Sequence, residues 1–183
     1  MLAGTGGNGG GGLVCARRLH SWDAAVEVWA TAQPSQLADV TRHQLTILEK
    51  MEVPVQVADE EVELPTADLI VDALIGYSLR GAPQGTTASL IRAANGHGAP
   101  ILALDVPSGI DSTTGAVHEP AIRAAATLTL ALPKQGFRSE AAMERIGELY
   151  LGDISVPPGL YGRASLGLDV GPIFAKEEIV RLR

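Results

Sequence analysis

A single cysteine, Cys15, stands in the whole chain, so no internal disulfide can form, and it reads as a small core residue on the first helix. No apolar run reaches the ~20 residues of a membrane-spanning helix, and no signal peptide precedes the first motif. Positive charge is scarce: 14 Lys and Arg face 21 Asp and Glu, a net charge of −7. An acidic field of that size excludes a general surface for nucleic acid or for an anionic membrane. An anionic ligand must then be held by local N–H groups. The four histidines, His20, His43, His97 and His118, are scattered without ligand spacing, which argues against a transition-metal centre and leaves them surface or cap roles. Aromatics are only 4% of the residues, and Trp22 and Trp29 read as packing side chains. A cytoplasmic location fits these absences.

Apolar residues make up 46% of the 183 positions, enough to bury a sizeable core and too many for a disordered chain. The most unusual stretch is Gly4-Thr5-Gly6-Gly7-Asn8-Gly9-Gly10-Gly11-Gly12, followed by Leu13-Val14-Cys15-Ala16-Arg17-Arg18-Leu19. It reads as a glycine loop opening a helix over about 11–21, whose free N–H groups and dipole suit a phosphate. The short Met1-Leu2-Ala3 before it is either a truncated first strand or a stub.

Strands are expected at Ala25–Ala30, Val53–Ala58, Asp68–Leu74, Pro100–Val106, Ala126–Leu132 and Glu148–Ile154. Helices are expected at Gln36–Met51, Thr86–Asn95 and around Ser139–Arg145. The alternation predicts an α/β fold, a Rossmann-like, doubly wound and mostly parallel sheet with helices on both faces. No domain boundary is visible, so residues 1–183 read as one domain. The tail from Pro157 reads as a docked arm or an interface segment.

Ligands of such sheets bind beyond the carboxyl ends of the strands. The glycine stretch, Asp72 with Gly76–Ala82, the block Asp105-Val106-Pro107-Ser108-Gly109 and Lys134 all fall there. A strand-end aspartate can be a loop cap, but two with a lysine and a glycine loop at one edge point to chemistry. Gly4–Gly9 satisfies G-x-G-x-x-G, yet the second strand ends in Ala30-Thr31-Ala32, without the acid that binds a dinucleotide ribose. Glu27 reads as mid-strand. That demotes a dehydrogenase. Ser108 lies in Pro-Ser-Gly, which is no nucleophile elbow.

In this order and spacing, Gly4–Gly12, Val71-Asp72-Ala73-Leu74-Ile75-Gly76, Asp105-Val106-Pro107-Ser108-Gly109-Ile110-Asp111 and Leu132-Pro133-Lys134-Gln135-Gly136 resemble the YjeF N-terminal family, the NAD(P)H-hydrate epimerases. The resemblance implies an isomerase of nicotinamide nucleotide repair that interconverts the R and S epimers of NADHX and NADPHX, working as a homodimer. It implies a potassium ion (K+) held by Asn8, Asp72 and Ser108. It places substrate against Gly7, Asn8, Gly9, Gly10 and Gly11, and against Gly76, Tyr77, Ser78, Leu79, Arg80, Gly81 and Ala82. Asp105 would be both substrate contact and catalytic acid–base, with Lys134 as its helper. The chain departs from the family pattern at Thr5, Gly7 and Gly11, where the family has Pro, Asn and Asp. Most of the family's first strand and its N-terminal helices are also lacking. The alternative reading is a non-catalytic nucleotide-binding or dimerisation module of the same fold.

Overall fold

The computed structural model describes residues 1–183. Eight strands form one sheet: β1 (Leu2–Ala3), β2 (Val28–Ala30), β3 (Val55–Val57), β4 (Ile70–Ala73), β5 (Ile101–Leu104), β6 (Ala126–Leu130), β7 (Glu148–Gly152) and β8 (Ile179–Arg181). Their order is β3-β2-β1-β4-β5-β6-β7-β8. All neighbours are parallel except β8, which runs antiparallel to β7. The helices are α1 (Gly7–Ser21), α2 (Asp39–Lys50), α3 (Gly85–His97), α4 (Glu140–Met143) and α5 (Pro158–Tyr161). This is the doubly wound α/β sheet that the alternation predicts.

The two residues of β1 show how the layers assemble. Successive side chains of a strand point to opposite faces. Leu2 packs with Ile70, Leu90, Ile91 and Ile101 beneath α3. Ala3 packs with Leu13, Ala16, Leu45 and Leu48 beneath α1 and α2. A strand of two residues holds the centre because its neighbours bracket it. Trp29 N–H donates to Met1 O (2.8 Å), Thr31 N–H to Ala3 O (3.0 Å), and Gly4 N–H to Ala73 O (3.1 Å).

Three expectations from the sequence are corrected. The glycine stretch is not a loop into a helix at 11, because α1 already begins at Gly7. Glycine disfavours a helix by about 1 kcal/mol per residue relative to alanine, so packing must override it. A Cβ at Gly4 would lie 1.8 Å from Leu74 O, one at Gly9 1.9 Å from Gly4 O, and one at Gly12 2.4 Å from Ala73 Cβ. Only glycine lets the helix press that close to β1 and β4. Secondly, Trp22 is 67% exposed and lies under the Arg18 guanidinium (5.4 Å) instead of packing in the core, whereas Trp29 does pack against the α3 layer. Thirdly, Glu27 precedes β2, and its carboxylate accepts from Gln56 Nε2 (2.6 Å).

Element ends also move. The helix read over 36–51 is a turn at Pro34–Gln36 followed by α2, because Leu37 and Ala38 are extended before Asp39. The helix read around 139–145 is the single turn α4, capped by Ser139 and preceded by a separate 3₁₀ turn at Gln135–Arg138. The tail does dock: it returns to add β8 to the sheet edge.

Candidate active site

From β1 the chain works outward to β3, then crosses back to β4 on the other side of β1. Such a reversal opens a crevice at the carboxyl edge, because the segments leaving the two central strands diverge. Here they are the start of α1 and the turn after β4.

Gly6 is the N-cap of α1 and offers no side chain to the helix end. The first N–H groups of a helix have no partner within it, and the first ladder bond shown here is Gly10 N–H to Gly6 O (3.1 Å). Thr41, the one polar residue on the buried stripe of α2, fixes this end by donating from Oγ1 to Gly6 O (2.8 Å). Gly6 and Gly7 are exposed, and a Cβ on either would meet nothing within 4 Å. Gly9 and Gly10 are buried; Gly11 is exposed, but a Cβ on it would lie 3.2 Å from Leu104 Cδ2. The mouth of the crevice is therefore Gly6-Gly7-Asn8.

Asn8 reaches across the crevice, Nδ2 donating to Leu104 O (3.1 Å), which leaves Oδ1 free to accept. Gly76 is the contact point of the whole arrangement. A Cβ there would lie 3.2 Å from Asn8 Cγ and 3.2 Å from Asp105 Oδ2. Asn8, Gly76 and Asp105 thus meet at one place, though they come from three separate strand ends. Tyr77, Ser78, Arg80, Gly81 and Ala82 lie on the surface beyond Gly76, and Leu79 is half-buried.

Asp72 and Ser108 form the floor. Asp72 is fully buried. Its Oδ1 accepts from Ser108 Oγ (2.7 Å) and Leu74 N–H (3.1 Å), and its Oδ2 from Ser108 N–H (2.8 Å). Ser108 Oγ also accepts from Ile75 N–H (2.9 Å). No lysine or arginine pairs with Asp72; the ion pair of the site belongs to Asp105. Desolvation dominates over these hydrogen bonds and pushes the Asp72 carboxyl up to about 6.

Asp105 follows β5 with φ +69°, a left-handed conformation that a residue with a Cβ rarely adopts. Three contacts hold it there. Its N–H donates to Leu128 O (2.8 Å), its Oδ1 accepts from Leu130 N–H (3.3 Å), and the same oxygen pairs with Lys134 Nζ at 2.6 Å. Lys134 in turn donates to Leu130 O (2.9 Å) and Leu132 O (3.2 Å). The pair is almost wholly enclosed, with 8% of the Asp105 and 17% of the Lys134 side chain exposed. An enclosed, oriented carboxylate–ammonium pair can move a proton and oppose a developing positive charge.

The other acid of the same block has a different task. Asp111 closes a turn, its Oδ1 accepting from Thr113 N–H (2.9 Å) and Thr114 N–H (2.7 Å), and these bonds hold its carboxyl below the ordinary value. Gly136 serves the same turn, since a Cβ on it would lie 2.5 Å from Asp111 O.

Sequence reasoning did not find Thr41, nor the carbonyls of Leu104, Leu130 and Leu132. Carbonyls carry no residue signature. Thr41 had one available signal, a hydroxyl on the apolar stripe of an amphipathic helix.

The model of the family described as YjeF-related protein N-terminus matches residues 1–136. An NAD(P)H-hydrate epimerase of Dehalogenimonas lykanthroporepellens is 45% identical over 166 residues, covering 91% of this chain and 65% of that protein. An NAD(P)H-hydrate epimerase of Limosilactobacillus fermentum is 33% identical, with 84% and 73% covered. A bifunctional NAD(P)H-hydrate repair enzyme of Thermofilum pendens is 39% identical over 87% of this chain but only 32% of its own length. The chain thus spans from about a third to about three-quarters of the length of these relatives. Among solved structures, the crystal structure of yeast ynu0 (YNL200c) superposes with a TM-score of 0.80 at 26% identity, covering 99% of this chain and 75% of that one.

Proposed function

Since the chain belongs to the YjeF-related N-terminal family, we propose that it is an NAD(P)H-hydrate epimerase, acting at the hydrated carbon of the nicotinamide ring in NADHX and NADPHX. One observation carries the reading: Asp105, strained and paired with Lys134, meets Asn8 and Gly76 at the switch point of the sheet. The N–H groups at the start of α1 suit the substrate's phosphates.

Epimerisation at this carbon needs its C–O bond to break and re-form on the other face. The Asp105–Lys134 pair delivers a proton to the ring hydroxyl, which leaves as water while the ring nitrogen lone pair forms an iminium. The Asp105 carboxylate beside the ring opposes that positive charge. Water adds to the opposite face, and its proton returns to the pair. Atoms, charge and protons balance over the cycle, and no outside reactant is consumed.

A potassium ion fits the donor set. Asn8, Asp72 and Ser108 offer only oxygen toward a ligand, which suits a hard cation, and Asp72 is a buried carboxylate without a cationic partner. A bound ion would neutralise that charge and brace the floor beneath Asp105. A homodimer and a cytoplasmic location belong to the same reading and rest on the sequence resemblance.

The second reading, a non-catalytic nucleotide-binding or dimerisation module, draws on Gly7. It replaces the family's asparagine, and no neighbouring side chain fills the space its Cβ would occupy. Interconversion of purified NADHX epimers above the uncatalysed rate supports the enzyme. Nucleotide binding without interconversion supports the module.

A further inference from the structure

Beyond β7 the tail folds back over the carboxyl ends of β6 and β7 and forms an open cavity of about 400 Å³, a size suited to a small-molecule group. Tyr161, Phe174, Val156 and Ala131 give it apolar walls, and Asp153 and Ser155 add polar groups. The residues from 137 onward lie outside the family match, which ends at 136. All of its lining except Ala131 lies beyond that match, at residues 153–175.

The backbone singles out the same place. Five residues other than glycine have positive φ: Asp23, Glu52, Asp105, Ala131 and Ser155. Asp23 and Glu52 follow the ends of α1 and α2, where a left-handed residue is an ordinary way to stop a helix. The other three lie at the carboxyl edge. Asp105 is in the candidate active site, and Ala131 (φ +65°) and Ser155 (φ +61°) line the cavity.

Cavity and active site share a wall. Ala131 sits between Leu130 and Leu132, the two residues whose carbonyls hold Lys134 Nζ, at 2.9 and 3.2 Å. The strand order then gives a direction. Along the edge come the start of α1 after β1, Asp105 after β5, and the cavity after β6 and β7. A dinucleotide with its phosphates on α1 and its reacting carbon at Asp105 extends beyond Asp105 only with the far side of its nicotinamide ring. Its adenine, attached on the other side of the phosphates, leads back toward β2.

We propose that the tail cavity seats the carboxamide-bearing end of the substrate's nicotinamide ring, a subsite that rests on the epimerase reading above. Tyr161 and Phe174 supply flat apolar walls for the ring. Asp153 Oδ1 accepts from Ser155 N–H (2.7 Å), which leaves its other oxygen and the Ser155 hydroxyl, both on residues that line the cavity, to accept from the carboxamide NH₂. A carboxylate in place of the carboxamide would be repelled by Asp153.

The test is a titration of the full chain with nicotinamide mononucleotide, nicotinic acid mononucleotide and ADP. It reads binding alone, so it decides the occupant of the cavity whatever the epimerisation assay returns. Wild type is expected to bind nicotinamide mononucleotide more tightly than its acid, and Asp153→Asn to shrink that preference. Tyr161→Ala and Phe174→Ala are expected to weaken nicotinamide mononucleotide by roughly tenfold and to leave ADP unmoved, with Tyr161→Phe close to wild type. Weakening of ADP in place of the mononucleotide would put the adenine end in the cavity and overturn the proposal. So would equal weakening of both, or an amide-over-acid preference that survives Asp153→Asn intact.

Discussion

Asp72 offers the sharpest test of the floor of the site, because its burial has a calculable pH signature. Its carboxyl stands at about 6 against an ordinary value of 3.8. The native state therefore binds its proton more tightly than the unfolded chain does. Its contribution to stability is fully present below 3.8 and is lost as the pH rises through about 6. At ~1.4 kcal/mol per pH unit, the gap corresponds to about 3 kcal/mol. In a domain of this length that is roughly 6–12 °C in Tm. Asp72→Asn cannot titrate. It leaves one N–H of the amide facing a donor, Leu74 N–H or Ser108 N–H, at a constant cost of about 1–3 kcal/mol. The expected result, in a buffer whose only cation is a large organic one, is that wild type is the more stable protein near pH 4. That advantage should shrink or reverse by pH 7.5. Taking the difference between the two proteins cancels the titration of every other carboxylate. Potassium should flatten the wild-type slope, because a cation on Asp72 favours the ionised form. A difference that stays constant from pH 4 to 7.5 without potassium would refute the reasoning.

Four further outcomes are expected. Asp105→Asn keeps the side-chain shape but cannot accept a proton, so the epimerisation rate should fall on the order of 10²–10⁴-fold while ligand-induced thermal stabilisation persists. Unchanged activity per folded molecule would make Asp105 a structural cap. At neutral pH, potassium should raise the Tm above that in a large organic cation at equal ionic strength, and Asn8→Ala should abolish the difference. Gly9→Ala, whose Cβ would lie 1.9 Å from Gly4 O, should destabilise by about 3 kcal/mol or more in denaturant melts. Gly7→Asn enters open space and should change stability by less than about 1 kcal/mol; on the epimerase reading it should raise activity or leave it unchanged.

The sequence by itself determined the class of fold and the composition of the edge. Apolar runs such as Ile101–Leu104, bounded by turn residues and alternating with helical periods, admit little besides a covered parallel sheet. A doubly wound sheet in turn sends every strand-end residue to one side, so Asp72, Asp105 and Lys134 could be grouped without coordinates. Tertiary structure decided what those residues do to one another. The glycine stretch is helical because only residues without a Cβ can approach Leu74, Gly4 and Ala73 so closely, and that advantage outweighs a local preference for loop. Asp105 takes a left-handed backbone because Leu128, Leu130 and Lys134, all from another strand end, hold it there. The tail cavity exists because residues far apart in the chain return to the ends of β6 and β7. Periodicity and propensity are local properties of the chain. Close approach, strain and enclosure are set by partners far away in sequence, and they appear only once the sheet has formed.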